Sequence, residues 1–166
     1  MTVTSVRPDT SALTLTIDAE YPHTPEQVWQ LWADPRLLER WWGPPVYPAT
    51  VGAHDLRPGG TVRYLMTGPE GDQHHGAWEV LTAEPPHRLE FKDWFTDAEG
   101  ARNESLATNV TRVAIEAIDG GTRMTIVATF PSLADMEQLL AMGMVEGMTL
   151  AMGQIDAVLA DAIPAS

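Results

Sequence analysis

The chain has 166 residues, 44% of them hydrophobic, which suits one domain with a proper core. Its 10 lysines and arginines against 23 aspartates and glutamates give a formal net charge of -13, with no basic cluster, which makes nucleic acid and anionic membrane poor partners. There is no cysteine, so disulfides, thiolate nucleophiles and cysteine metal sites are excluded.

Residues 1–11 are polar and without periodicity, and read as a loose leader ahead of a single domain over 12–163. The leader lacks the apolar segment of a signal peptide, and no apolar run reaches membrane-spanning length, which points to a soluble cytoplasmic protein. From Leu13 the residues Leu13, Leu15, Ile17, Ala19 and Tyr21 alternate with Thr14, Thr16, Asp18 and Glu20, the period of a half-buried strand. Thr24 followed by Pro25 is an N-cap with proline at the first helical position, and Val28, Leu31 and Trp32 share one face of the short helix that follows. A second short helix runs from Pro35 to Trp41 and ends at Trp42, Gly43, Pro44 and Pro45.

Beyond Pro48 the pattern is a meander. Strands over 49–56, 61–67, 74–83 and 87–95 are separated by glycine- and proline-containing turns. The segment 96–106 is polar and reads as an exposed, mobile loop. Strands over 109–118 and 122–130 are joined by Asp119, Gly120 and Gly121, a tight-turn signal. Parity assigns faces. Arg63, Glu79, Arg88, Glu90, Lys92, Arg112, Glu116 and Arg123 fall on one side, facing water. Val62, Tyr64, Met66, Trp78, Val80, Leu89, Phe91, Val113, Ile115, Met124, Ile126 and Ala128 form one apolar face, which needs a cover.

Residues 132–163 supply that cover. Leu140, Met144, Met148, Met152, Ile155, Leu159 and Ile163 recur at helical steps; Ser132 with Asp135 resembles a capping box, and Pro164 closes the far end. Gly143, Gly147 and Gly153 each cost about 1 kcal/mol relative to alanine inside a helix, so the helix either bends near Gly143 to Gly147 or takes a close neighbour there. The fold class expected is α+β: a curved antiparallel sheet wrapped around a long C-terminal helix, with two short helices after the first strand and a pocket beneath the methionines.

Val28 and Trp29, then Trp41, Trp42, Gly43, Pro44 and Pro45, then Asp55, Leu56, Arg57, Pro58, Gly59 and Gly60, carry a family resemblance. In that order they resemble the bacterial proteins related to the activator of the ninety-kilodalton heat-shock-protein ATPase, within the START-like (SRPBCC) helix-grip superfamily. The resemblance spans about 13–159. It implies the helix-grip fold and a superfamily whose members bind different hydrophobic molecules, and it carries no shared catalytic motif. Where similar chains commonly read Glu, Gly, Trp, this one reads Glu146, Gly147, Met148, a softer side chain over the pocket. The eukaryotic co-chaperone carries a further domain for which this length leaves no room.

The ligand-lining candidates are Trp42, Tyr64, Met66, Trp78, Phe91, Asp93, Met144, Met148 and Met152, each with plain core packing as its alternative. Asp93 shares parity with Leu89 and Phe91; pointed inward its pKa would rise, as a general base or ligand anchor requires, whereas solvated at the strand end it would do neither. Asp93 and Tyr64 are the catalytic candidates. Trp41 and Trp42 serve as a lid over the pocket or as a clasp holding the short helices to the sheet. His74 and His75 are adjacent in a strand and face opposite sides, so they do not share a metal, and His54 would join them only through tertiary contact; no metal and no cofactor are expected. Asp55 and Arg57 read as turn-orienting. No phosphate loop, nucleotide fingerprint or nucleophile motif is present. The leading expectation is a binder of a hydrophobic or aromatic small molecule. Its rivals are a cyclase- or hydrolase-like enzyme and a chaperone-interaction module, and a homodimer is compatible with free sheet edges.

Overall fold

The computed structural model describes residues 3–162. Ile163 and Pro164, which end the apolar stripe of the sequence, lie outside the described residues.

The element order is β1 (Val3–Asp9), β2 (Thr14–Tyr21), α1 (Pro25–Ala33), α2 (Pro35–Trp41), β3 (Ala49–His54), β4 (Thr61–Thr67), β5 (Gln73–Glu84), β6 (Arg88–Thr96), β7 (Asn109–Ile118), β8 (Gly121–Thr129), α3 (Leu133–Ala141), α4 (Met144–Met152) and α5 (Ile155–Ala162). All the strands form one eight-stranded sheet in the order β1-β2-β8-β7-β6-β5-β4-β3. Strands β3 to β8 follow one another as an antiparallel meander, and β2 returns to pair with β8. This is the curved antiparallel sheet with a C-terminal helical segment of the helix-grip fold.

The parity reading holds along the sheet. In β2 and β8 every second residue is buried, and Leu15, Ile17, Val113, Met124 and Ile126 join a common core. The charged parity faces outward and pairs across strands: Arg112 Nε donates to Glu90 at 3.2 Å, and Arg123 lies between Glu20 and Glu116. These exposed pairs fix register more than they stabilise. Gly120, with φ of 81°, makes the left-handed position of the β7–β8 turn, where a side chain would be strained.

The expected loose leader is corrected. Residues Val3–Asp9 form an edge strand on β2, with Val6 opposite Ile17, and Arg7 reaches Asp18 at 3.0 Å. An edge strand satisfies its backbone on one neighbour and needs no apolar period, so its polar composition concealed it. Val3 and Val6 nevertheless pack on the core. The segment after β6 is exposed, as expected, but it is closed by its own hydrogen bonds. Asp97 Oδ1 accepts from the backbone N–H groups of Glu99 and Ala101, and Arg102 bridges back to Thr96.

Both short helices form where their caps predict. Thr24 and Gln27 make a reciprocal capping box at α1, and the Asp34 side chain accepts from the Arg36 N–H at α2. The long C-terminal helical segment runs as α3, α4 and α5. Ser132 caps α3 through the Asp135 N–H at 3.1 Å; the chain then breaks at Gly143, with φ of 91°, and again at Gly153 and Gln154. Gly147 sits inside α4 with open space where a Cβ would go, so the bend belongs to Gly143, not to a close neighbour at Gly147. Helix α5 packs on α1 and α2, fastened by Arg40 to Asp161 at 2.6 Å. No helix among the described residues is long and apolar enough to cross a membrane.

Candidate functional site

The capped α2 delivers two tryptophans in succession. Trp41 is fully buried and its Nε1 donates to the Leu31 carbonyl at 2.9 Å, so it clasps α2 to α1. Trp42 inserts into the concave face of the sheet, edge-on to Trp78 with ring centroids 4.8 Å apart and to Tyr64 at 5.9 Å. Trp78 in turn stacks on Phe91, with centroids 4.0 Å apart and an interplanar angle of 15°. Such contacts stabilise by roughly 1 kcal/mol each beyond their buried area. Tyr64 lies opposite Gly76 in register. A Cβ on Gly76 would clash with the Tyr64 ring and hydroxyl, so the missing side chain is what lets the phenol lie across β5.

Asp93 stands in the same row, opposite Trp78 on one side and Asn109 on the other. Its side chain is on the concave parity and the residue is partly buried. Thr111 Oγ1 donates to Asp93 Oδ1 at 3.2 Å. Burial pushes the Asp93 carboxyl up to about 7, tempered by the Thr111 bond and a backbone bond. The Tyr64 hydroxyl is raised by burial and then by the charge of Asp93; the Trp42 indole tempers that rise without completing a hydrogen bond.

Three buried polar atoms here have no partner among the described residues: the indole N–H groups of Trp42 and Trp78 and the Asn109 Oδ1. Leaving such a group unpaired costs about 1–3 kcal/mol, so unpaired groups on the two residues that flank Asp93 in register, and on the Trp42 that packs on one of them, are a departure from ordinary core packing. The structure therefore brings Trp42, Tyr64, Trp78, Phe91 and Asp93 into one cluster. Met66, Met144 and Met148 are half-buried against the same core, whereas Met152 is completely buried within it. Sequence reasoning missed Asn109 and Thr111. Both share the parity of Val113 and Ile115, and extending that alternation back along β7 would have found them.

Two open clefts lie elsewhere. One of about 380 Å³ sits on the outer face, lined by Arg88, Glu90 and Arg112 among others, and one of about 200 Å³ lies beside the β7–β8 turn. The histidines do not assemble: His54 hydrogen-bonds the Trp32 carbonyl at 2.9 Å and His74 lies 3.3 Å from Asp72. Among the described residues no three His, Asp or Glu side chains come together as a metal site. Arg57 Nε donates to Asp55 at 2.9 Å, within the turn before β4.

Solved structures share this architecture from end to end. A crystal structure of protein Ms6760 from Mycobacterium smegmatis is 46% identical with a TM-score of 0.88, covering 95% of this chain and 96% of that one. A solution structure of a protein from Arthrobacter aurescens is also 46% identical, with a TM-score of 0.93 over 99% of this chain and 95% of its own. A Rhodobacter sphaeroides protein is 26% identical, with a TM-score of 0.82 over 95% and 98%. No curated protein matches the chain. The family model described as "Activator of Hsp90 ATPase homolog 1-like protein" matches residues 22–160, most of the chain. With that match and with relatives of the same START-like architecture, the chain belongs to the family of activator of Hsp90 ATPase homolog 1-like proteins.

Proposed function

We propose that this protein binds a hydrophobic or aromatic small molecule on the concave face of the sheet, beneath α4. The observation that carries the reading is the set of unpaired buried polar atoms on Trp78 and Asn109, which flank Asp93 in register, and on Trp42, which packs on Trp78. An apolar site with a few convergent polar groups is the usual construction of a small-molecule pocket. Met144 and Met148 on α4 are half-buried and unbranched, so they can re-pack around a guest without moving the sheet. Trp42, Tyr64, Trp78, Asp93 and the methionines Met66, Met144 and Met148 are the contact residues in this reading, with Phe91 and Met152 behind them.

The protein acts in the cytoplasm without nucleic acid or membrane as a partner, and its free β1 and β3 edges leave homodimerisation open to test by light scattering. Native mass spectrometry of protein purified directly from its host, followed by a crystal structure, tests the binding role. A retained compound touching Trp78, Met148 or Asp93 supports it; a chain repeatedly empty with the space under α4 closed contradicts it.

One observation favours a second reading, acid/base catalysis of the cyclase or hydrolase kind. A carboxyl held near 7 beside a phenol is poised to exchange a proton at neutral pH. Titration of the Asp93 carboxyl by carbon NMR decides it, since a value in the ordinary carboxylate range removes the base.

A further inference from the structure

The concave-face site has an electrostatic asymmetry that narrows its occupant. It holds one carboxyl, Asp93, and beside it the unpaired carbonyl oxygen of Asn109, an acceptor that is itself more than nine-tenths buried. The Asn109 oxygen calls for a hydrogen-bond donor, and the Asp93 carboxylate, whose Oδ1 already accepts from Thr111, calls for a counter-charge. No cation answers them: every lysine and arginine is exposed except Arg123, which is engaged by Glu20 and Glu116 on the outer face. The rings of Trp42, Tyr64 and Trp78 pack edge-on to one another in the same cluster, aromatic groups of the kind that attract a cation.

We propose that the ligand is a hydrophobic ammonium compound, an aromatic or apolar body carrying a protonated amine whose N–H groups are donated to the Asp93 carboxylate and the Asn109 Oδ1. This rests on the concave-face binding reading and specifies its substrate class. An ammonium supplies the donor that the Asn109 Oδ1 lacks and converts a carboxylate that burial disfavours into half of an ion pair, while the indole N–H groups of Trp42 and Trp78 are left to an acceptor elsewhere on the guest. An anionic guest would meet Asp93 with no basic group to offset the repulsion, and a neutral guest would leave the carboxylate without its counter-charge. The acidic surface, with a net charge of -13, also concentrates organic cations around the protein.

The test is isothermal calorimetry on the full chain with three probes of one shape, 2-phenylethylamine, 2-phenylethanol and 3-phenylpropionate, alongside binding of the neutral dye Nile red. The ammonium should bind at least about tenfold tighter than the alcohol, and the carboxylate weakest of all. In Asp93→Asn, with folding checked by circular dichroism, the amine's advantage over the alcohol should vanish. Binding of Nile red with the alcohol or the carboxylate equal to or tighter than the amine overturns the ammonium assignment and leaves the binding site standing. If neither the dye nor any of the three probes binds, the site reading itself fails, and this proposal with it. Because the probe series is read on the unaltered chain, the outcome does not depend on the variant folding.

Discussion

The two halves of the C-terminal helical segment on either side of Gly153 are built on different terms. Helix α5 is fastened: Ile155, Val158 and Leu159 are all buried, and Arg40 and Asp161 tie it to α2. Helix α4 is set between glycines, with only Ala151 and Met152 buried, while Met144 and Met148 are half-covered and Leu150 is exposed. The fixed half completes the core. The looser half, with flexible side chains and a left-handed glycine at its start, can adjust around an occupant. The difference teaches that a single helical period in the sequence conceals a structural part and an adaptable part.

That contrast can be broken or sharpened by mutation. The largest effect is expected at Asp93, the carboxyl of the candidate site. Its folded pKa of about 7 lies above the unfolded value of 3.8, so the folded chain holds the proton while the unfolded chain has lost it. The stability this retained proton contributes is full below pH 4 and is lost as pH rises through about 7. Asp93→Asn removes the titration, so its stability relative to the parent should grow by about 4 kcal/mol between pH 4 and pH 8, measured by urea unfolding at each pH. A difference that stays flat would place the Asp93 carboxyl in water.

Next comes the direct comparison of the two helices. Leu159→Ala in α5 should cost about 3 kcal/mol, as a large-to-small change at a fully buried position. Met148→Ala in α4 should cost only about 1 kcal/mol, because the methionine is half-buried. Equal losses in urea unfolding would show that α4 is as firmly packed as α5. The smallest expected effect is a gain. Gly147→Ala meets nothing within 4 Å and lies inside α4, so it should stabilise by about 0.7 kcal/mol in thermal unfolding. Gly143→Ala should destabilise by a similar amount, since φ there is 91°.

Much of the fold was legible because local signals and global packing agreed. Thr24 and Pro25 start α1, Ser132 caps α3, and the alternation from Val62 to Ala128 names the buried face. The edge strand over Val3–Asp9 escaped because backbone pairing to β2 leaves no apolar period to read. The break at Gly143 was only half legible: the glycines signalled a bend, but Gly143 and Gly147 are alike as residues and only the backbone angle separates them. Within the candidate site, the inward parity of Asp93 was readable from Leu89 and Phe91. Parity along β7 also turns Asn109 and Thr111 inward, but their placement beside Asp93 depends on cross-strand register, which a single sequence does not display.

The central claim is that the unpaired indole groups on the concave face await a partner, and side-chain NMR of the tryptophan N–H signals tests it most directly. Titrating Nile red, whose carbonyl oxygen can accept from an indole N–H, into the labelled protein should move the Trp42 and Trp78 indole signals strongly. The Trp41 signal, whose N–H is already bonded to Leu31, should stay nearly fixed. Indole signals that all remain unmoved at saturating probe, or that all move alike, would contradict a binding site at this place.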